Sequence, residues 1–465
     1  MRRINTERRF LPRFKNRGLA PSNVSNPRIS KATKSCIDII CHAHILENIC
    51  SKKGVRLDKN NILALTGETD CQATGQLSRR GFMSLSAAGL AGAALGHRLI
   101  GQEKVDDHKP KETPPPDIKT NVEEIRKFPR TKNSLPGLYP GEVVKIPTGN
   151  ASRQGKIDAA AVRKAVNIGI LGLTGEKAVK AGWLKFVRPE DVVGLKVNPI
   201  GGDILSTKPE VVDVIIEGLL EAGLPKKNIL IWDRRHFQLL EAGFTPERFP
   251  GIEIAGTELK GPNGGFYDDK GELWSRDNID RDAPFYKADI EMEYDKETMP
   301  YMINTGKESY FTRIVTRRLD KIINVPILKN AGATVTCCLK NLSYGSLSNT
   351  SRLHKIWVES VAQPVAFPAL RDKVVLNVVD GLQACYDGGP GANPKFIYDS
   401  NVMMFGTDPV AVDRICHEFI VKERMARGIQ QLEDKKRTAY LDIAAGLGLG
   451  VSQRDKIKVK ELALA

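Results

Sequence analysis

The segment Asp191–Asp233, "DVVGLKVNPIGGDILSTKPEVVDVIIEGLLEAGLPKKNILIWD", decides the fold. Its opening "DVVGLKVNP" is a short apolar run closed by Pro199 and a glycine pair, the signature of a buried strand. Thr207 and Glu210 then stand at capping-box spacing with Pro209 in the first turn. Val211, Ile215 and Leu219 with Val212, Ile216 and Leu220 repeat at helical spacing and form one apolar face. Gly223 and Pro225 stop the helix, and "NILIWD" supplies the next strand. A strand, a helix and a strand joined this tightly predict a right-handed βαβ unit in a parallel sheet.

Working outward, "KIINVPIL", "KVVLNVVD" and "NVMMFG" read as further strands, the last leading into a helix with Asp408 at its N-cap and Pro409 at its first position. The expected class is α/β, a mostly parallel sheet with flanking helices. Residues 250–320 are rich in acidic and aromatic side chains, with a hairpin-like turn at Asp269-Lys270-Gly271. They read as an insertion covering one edge of the sheet or one side of a cleft.

The apolar runs end at Asn198, Asp233, Lys329, Asp380 and Asp408. In open parallel sheets the carboxyl ends of the strands form the ligand crevice, so five polar tips point to one rim. Each alone also fits a cap or a turn. Gly201, Gly202, Ser206 and Thr207 fall at a helix N-terminus, where free N–H groups favour phosphate or carboxylate. The loop is neither a Gly-x-Gly-x-x-Gly fingerprint nor a Walker loop, so nucleotide is not assigned. In "DGLQACYDGGPGANP", Asp380 and Asp387 suit a hard divalent cation or a basic partner, and equally a hydrogen-bonded turn.

The densest stretch is "LKNAGATVTCCLKNLSYGSLSNTSRLH". It gathers Lys329, Lys340, Asn341, Arg352 and His354, with Asn349 between. Lysines packed into a core lose proton affinity and serve as bases or imine formers, or they hold an anionic substrate. His354 fits a general acid/base, a ligand or a structural role.

The amino-terminal part is different in kind. "SRRGFM" at 78–83, the weakly apolar stretch after it and the small-residue site Ala91-Gly92-Ala93 resemble a twin-arginine signal over 78–97. That resemblance implies the twin-arginine translocase as a partner and a periplasmic or other extracytoplasmic location. The stretch is too short and glycine-rich for a stable membrane span. Residues 1–77 carry 14 basic against 6 acidic side chains without apolar periodicity, and read as an over-long or disordered start and not as a domain. Residues 98–140 read as a proline-rich linker, and 141–465 as the α/β domain. Of the net charge of +15, most lies in the first hundred residues; 53 basic and 49 acidic side chains remain in 101–465, so no nucleic-acid partner is expected.

Cys36, Cys41, Cys50 and Cys71 precede or lie close to the signal and match no metal template. Cys337 and Cys338, being adjacent, are expected on opposite faces of a strand, Cys385 in a loop, and Cys416 on a helical face with Val412 and Ile420 as a small buried hydrophobe. Without Cys-x-x-Cys pairs, neither a structural zinc nor an iron–sulfur cluster is indicated.

"VNPIGGDILSTKPEVV", "IINVPILKNAGATVTCCLKNLSYG", "DGLQACYDGGP" and "TDPVAVD" together resemble the exported branch of the domain of unknown function 362 family, over roughly 190–450. The resemblance implies an α/β protein and places Lys329, Lys340, Asn341, His354, Asp380, Asp408 and Asp413 on the family's motif positions. Many members have Lys-x-His where this chain has Lys329-Asn330-Ala331, so the histidine is missing. Two readings stand. One is an enzyme acting on a small anionic substrate, with room for a metal or redox cofactor; the other is a non-catalytic protein that captures a small ligand outside the cytoplasm.

Overall fold

The computed structural model describes residues 118–266, 274–290, 307–331, 334–350, 352–389, 391–429 and 435–464. The signal, the segment before it and the turn at 269–271 lie outside the described residues. The main sheet is built from β1 (Glu142–Pro147), β2 (Val193–Lys196), β3 (Ile229–Arg235), β4 (Glu253–Glu258), β5 (Lys321–Asn324), β6 (Ile327–Ala331), β7 (Thr334–Thr336), β8 (Val374–Cys385), β9 (Ile397–Gly406) and β10 (Lys458–Glu461). The principal helices are α1 (Ala159–Thr174), α2 (Pro209–Glu221), α3 (Cys338–Ser346), α4 (Pro409–Ala426) and α5 (Lys435–Gly446).

Strand order is β10-β1-β9-β8-β5-β2-β3-β4, with β6 pairing β7 and β8 off this path. The pairs β8/β5, β5/β2, β2/β3 and β3/β4 are parallel, whereas β9 runs antiparallel to both β1 and β8. The α/β, mostly parallel sheet expected from Asp191–Asp233 is therefore present, and β2-α2-β3 is its parallel unit.

Alternation along the strands sorts the core. On β3, Ile231 faces a cluster with Val166 and Ile170 of α1 and Ile215 and Leu219 of α2. Its neighbours Leu230 and Trp232 face the other cluster, with Leu339 and Leu342 of α3 and Tyr440 of α5. Each fully buried Val, Leu or Ile contributes on the order of 1.5–3 kcal/mol.

Four local expectations are corrected. Thr207 does not cap α2: its N-cap is Lys208, without a side-chain cap, because the Thr207 hydroxyl donates to the Val325 carbonyl at 2.7 Å. The linker read over 98–140 does not extend through its second half. Leu135 is fully buried, its N–H bonded to the Arg371 carbonyl, and Asn121 bonds both Phe285 and Lys287. Asp380 is not a strand tip, because β8 continues to Cys385, which is thus its last residue and not a loop residue. Pro326 lies between β5 and β6, so "KIINVPIL" is two strands and Lys329 sits mid-strand. The 250–320 segment supplies the edge strand β4 and then packs Tyr286, Ala288 and Phe311 into the α3-side core.

Candidate functional site

The parallel register lines up one residue from each central strand: Lys196 on β2 pairs with Asn324 on β5, and Asn324 with Asn377 on β8. Side chains in register on neighbouring strands share a face, and here they are polar. Asn324 Nδ2 donates to Asn377 Oδ1 at 2.9 Å, and Asn377 Nδ2 donates to the carbonyls of Gly406 and Thr407. Asn341, from α3, donates to Asn324 Oδ1 at 2.8 Å, and Asn198 donates to Asn341 Oδ1 at 3.0 Å. Lys329 Nζ donates to Asn198 Oδ1 at 2.9 Å. The donors all run one way, from Lys329 to the Thr407 carbonyl, so the bonds polarise one another and tie five elements together.

A buried ion pair sits beside this chain. Lys196 Nζ bonds the Asp233 carboxylate, the Val197 carbonyl at 2.7 Å and Asn341 Oδ1 at 3.1 Å. Burial lowers the proton affinity of Lys196, and the adjacent Asp233 carboxylate opposes that shift. The pair fits only because residue 345 is glycine: a Cβ there would stand 2.1 Å from Lys196 Cε.

Above the network lies a cavity of about 240 Å3, lined among others by Asn198, Asp233, Arg234, Lys329, Lys340 and His354. It opens at the carboxyl ends of β2 and β3, against the β6–β7 hairpin and α3. Lys329 is fully buried, and desolvation, helped by the like charge of Lys340, lowers its pKa to about 7. Desolvation lowers Lys340 to about 8. Lys340 Nζ lies 5.7 Å from the ring centroid of Tyr344, which stacks on His354 at 4.9 Å. His354 Nδ1 is 3.2 Å from the Thr350 carbonyl, which can only accept, so Nδ1 carries a proton and a neutral ring has its lone pair on Nε2. Arg234 bonds the Thr350 hydroxyl, and Arg234 and Arg235 share the Glu258 carboxylate. Arg234, Arg235, Lys329, Lys340 and His354, five side chains of fixed or latent positive charge, thus face the cavity, with both arginines paired to Glu258 and the lining carboxylate Asp233 taken up by Lys196.

Of the residues expected in the site, Asn198, Asp233, Lys329, Lys340, Asn341 and His354 line this cavity. The rest do not. The guanidinium of Arg352 is buried against the Ala288 carbonyl and the Ser309 hydroxyl, anchoring the 250–320 segment. Gly201 and Gly202 form a turn closed by a bridge to Leu205, Ser206 is buried beside it, and the N–H of Lys208 at the start of α2 is filled by Asp380 at 2.7 Å. The anion expected there is therefore a carboxylate of the chain itself. Asp380 also accepts from Leu382 N, whereas Asp387 pairs with Arg424, so the two do not form a shared cation site. Desolvation raises Asp380 to about 6. Asp408 caps α4 through Val410 and Ala411 and also holds Gly141 and Val451, and burial raises it to about 6. Asp413 accepts from the N–H groups of Cys338 and Leu339.

Lys196, Arg234, Arg235 and Tyr344 were not singled out from the sequence. The lysine inside the apolar "VGLKV" and the Arg pair directly after "IWD" are the signals that mark them.

No curated protein matches the chain. The model of the domain of unknown function DUF362 matches residues 281–418, a span that holds Lys329, Lys340, Asn341 and His354. Over that span the chain is similar to the DUF362 family.

Proposed function

We propose that this chain is an enzyme acting on a small anionic substrate in the cavity, with Lys329 as the group that takes and returns a proton. The observation that carries the reading is a fully buried lysine, lowered to about pH 7, in a cavity it shares with Arg234, Arg235 and Lys340. An amine that loses its proton near neutrality is matched to general base work, and the neighbouring cations fix a carboxylate or phosphate beside it. Asn198 orients the Lys329 amine, and Asn341, its amide saturated by protein partners, positions Asn198. His354 stands across the cavity as the second proton-transfer group. The volume, at the low end of ligand sites, selects a metabolite-sized molecule.

Solvent-deuterium incorporation into a panel of small carboxylates and phosphates, followed by NMR, tests the reading. Exchange catalysed by the chain and lost in Lys329→Met supports it. Tight retention of a small anion with no exchange and no turnover in any member of the panel favours a binding protein instead.

The "SRRGFM" stretch supports a second part of the proposal, export by the twin-arginine translocase to an extracytoplasmic space. A reporter fused after residue 100 is expected outside the cytoplasm, and to stay inside when Arg79→Lys and Arg80→Lys are combined. Export of the doubly substituted fusion contradicts it.

A further inference from the structure

A second polar cluster is buried at the start of α3, apart from the cavity. Cys337, Cys338, Asp413 and Cys416 are each fully buried. Cys337 Sγ lies 3.9 Å from Cys338 Sγ and 3.4 Å from Cys416 Sγ, and Cys416 Sγ lies 3.6 Å from Met404 Sδ. The ligand atoms of Cys337, Cys338 and Asp413 all fall within 4.8 Å of one another. The expectation that adjacent cysteines point apart fails because the backbone at Cys337, φ −150° and ψ −136°, is neither helix nor strand. Instead of alternating, the two thiols converge.

We propose that Cys337, Cys338 and Asp413 bind one thiophilic d10 cation such as Zn2+. Three observations carry this. A tetrahedral centre with metal–sulfur bonds of about 2.3 Å sets its sulfurs roughly 3.8 Å apart, and the Cys337–Cys338 separation of 3.9 Å matches that spacing. All four thiols among the described residues are free, and the Cys337–Cys416 separation is far beyond a disulfide bond of about 2.05 Å.

Second, Asp413 is a fully buried carboxylate. Its two N–H partners orient it, as groups around metal sites orient their ligands, but they supply no net charge. Third, sulfur donors select zinc or monovalent copper over magnesium or calcium. The site joins the β7–α3 junction to α4, so the ion would clamp the end of the helix that carries Lys340, Asn341 and Gly345.

The test uses the full chain with Cys36, Cys41, Cys50 and Cys71 replaced by serine, so that only the four buried thiols remain. Refolded or expressed with Zn2+ under reducing conditions and then desalted, it is expected to retain one metal per chain by elemental analysis. Co2+ in place of Zn2+ is expected to give a thiolate charge-transfer band in the near ultraviolet, a readout that needs no substitution in the core. Cys337→Ser and Asp413→Asn, checked for folding by circular dichroism, are expected to weaken binding by roughly tenfold or more. A folded, reduced chain that holds no metal and gives no such band overturns the proposal. So does metal retained undiminished in folded Cys337→Ser, or a Cys337–Cys416 disulfide found in place of metal.

Discussion

Lys329 sits in the middle of a strand, fully buried, with Asn198 Oδ1 as its one described acceptor. Its folded pKa of about 7 lies below the ordinary 10.5, so between those values the unfolded chain binds the extra proton and stability contributed by this group rises with pH. Lys329→Met is therefore expected to stabilise the chain most below pH 7, with the gain shrinking toward pH 10 in denaturant melts. A pH-independent difference contradicts the assignment. Lys196 differs in having a fixed partner, Asp233. Lys196→Ala leaves a buried carboxylate unpaired and is expected to cost about 3–5 kcal/mol, whereas the paired change Lys196→Met with Asp233→Leu costs far less. The sequence makes Lys329 legible as a lysine closing an apolar run, but Lys196 is passed over because it stands inside one. Only the register, which sets Lys196 beside Asn324, turns it from an oddity of composition into a member of a network.

At the scale of elements, the aspartates that read as site residues are joints between segments. Asp408 receives four backbone N–H groups, from α4, from the start of β1 and from the stretch after α5. Asp408→Ala leaves these donors buried without an acceptor and is expected to destabilise the chain by about 3 kcal/mol, read from chemical denaturation, with the cavity's anion affinity unchanged. Asp380→Ala is expected to weaken the start of α2 in the same way without changing metal content. Loss of a bound metal on that substitution alone contradicts the structural role. The βαβ unit was legible in Asp191–Asp233 because apolar periodicity and punctuation are local properties. The cap of α2 was not, because its acceptor comes from Asp380, 172 positions away. For the same reason Arg352 looked like an anion binder: nothing near it in sequence reveals that Ala288 and Ser309 take its guanidinium.

Across the whole molecule, the central strands place their polar tips over one cavity, and the amide chain from Lys329 to Thr407 holds those tips in a single arrangement. At Gly345, a Cβ on α3 would meet the Lys196 side chain of β2. Gly345→Ala is expected to push Lys196 from Asp233, costing roughly 1–3 kcal/mol and weakening anion binding together. No helix among the described residues is long and apolar enough to cross a membrane. The most direct test of the cationic cavity is sulfate affinity measured by calorimetry from pH 6 to pH 9, in the parent chain and in Lys329→Met. Sulfate keeps its charge throughout that range, so any pH dependence belongs to the protein. The expected result is affinity that falls as pH rises through about 7, with proton uptake on binding, and a flattened profile in Lys329→Met. Sulfate binding that is absent, or that ignores both pH and the loss of Lys329, contradicts the account.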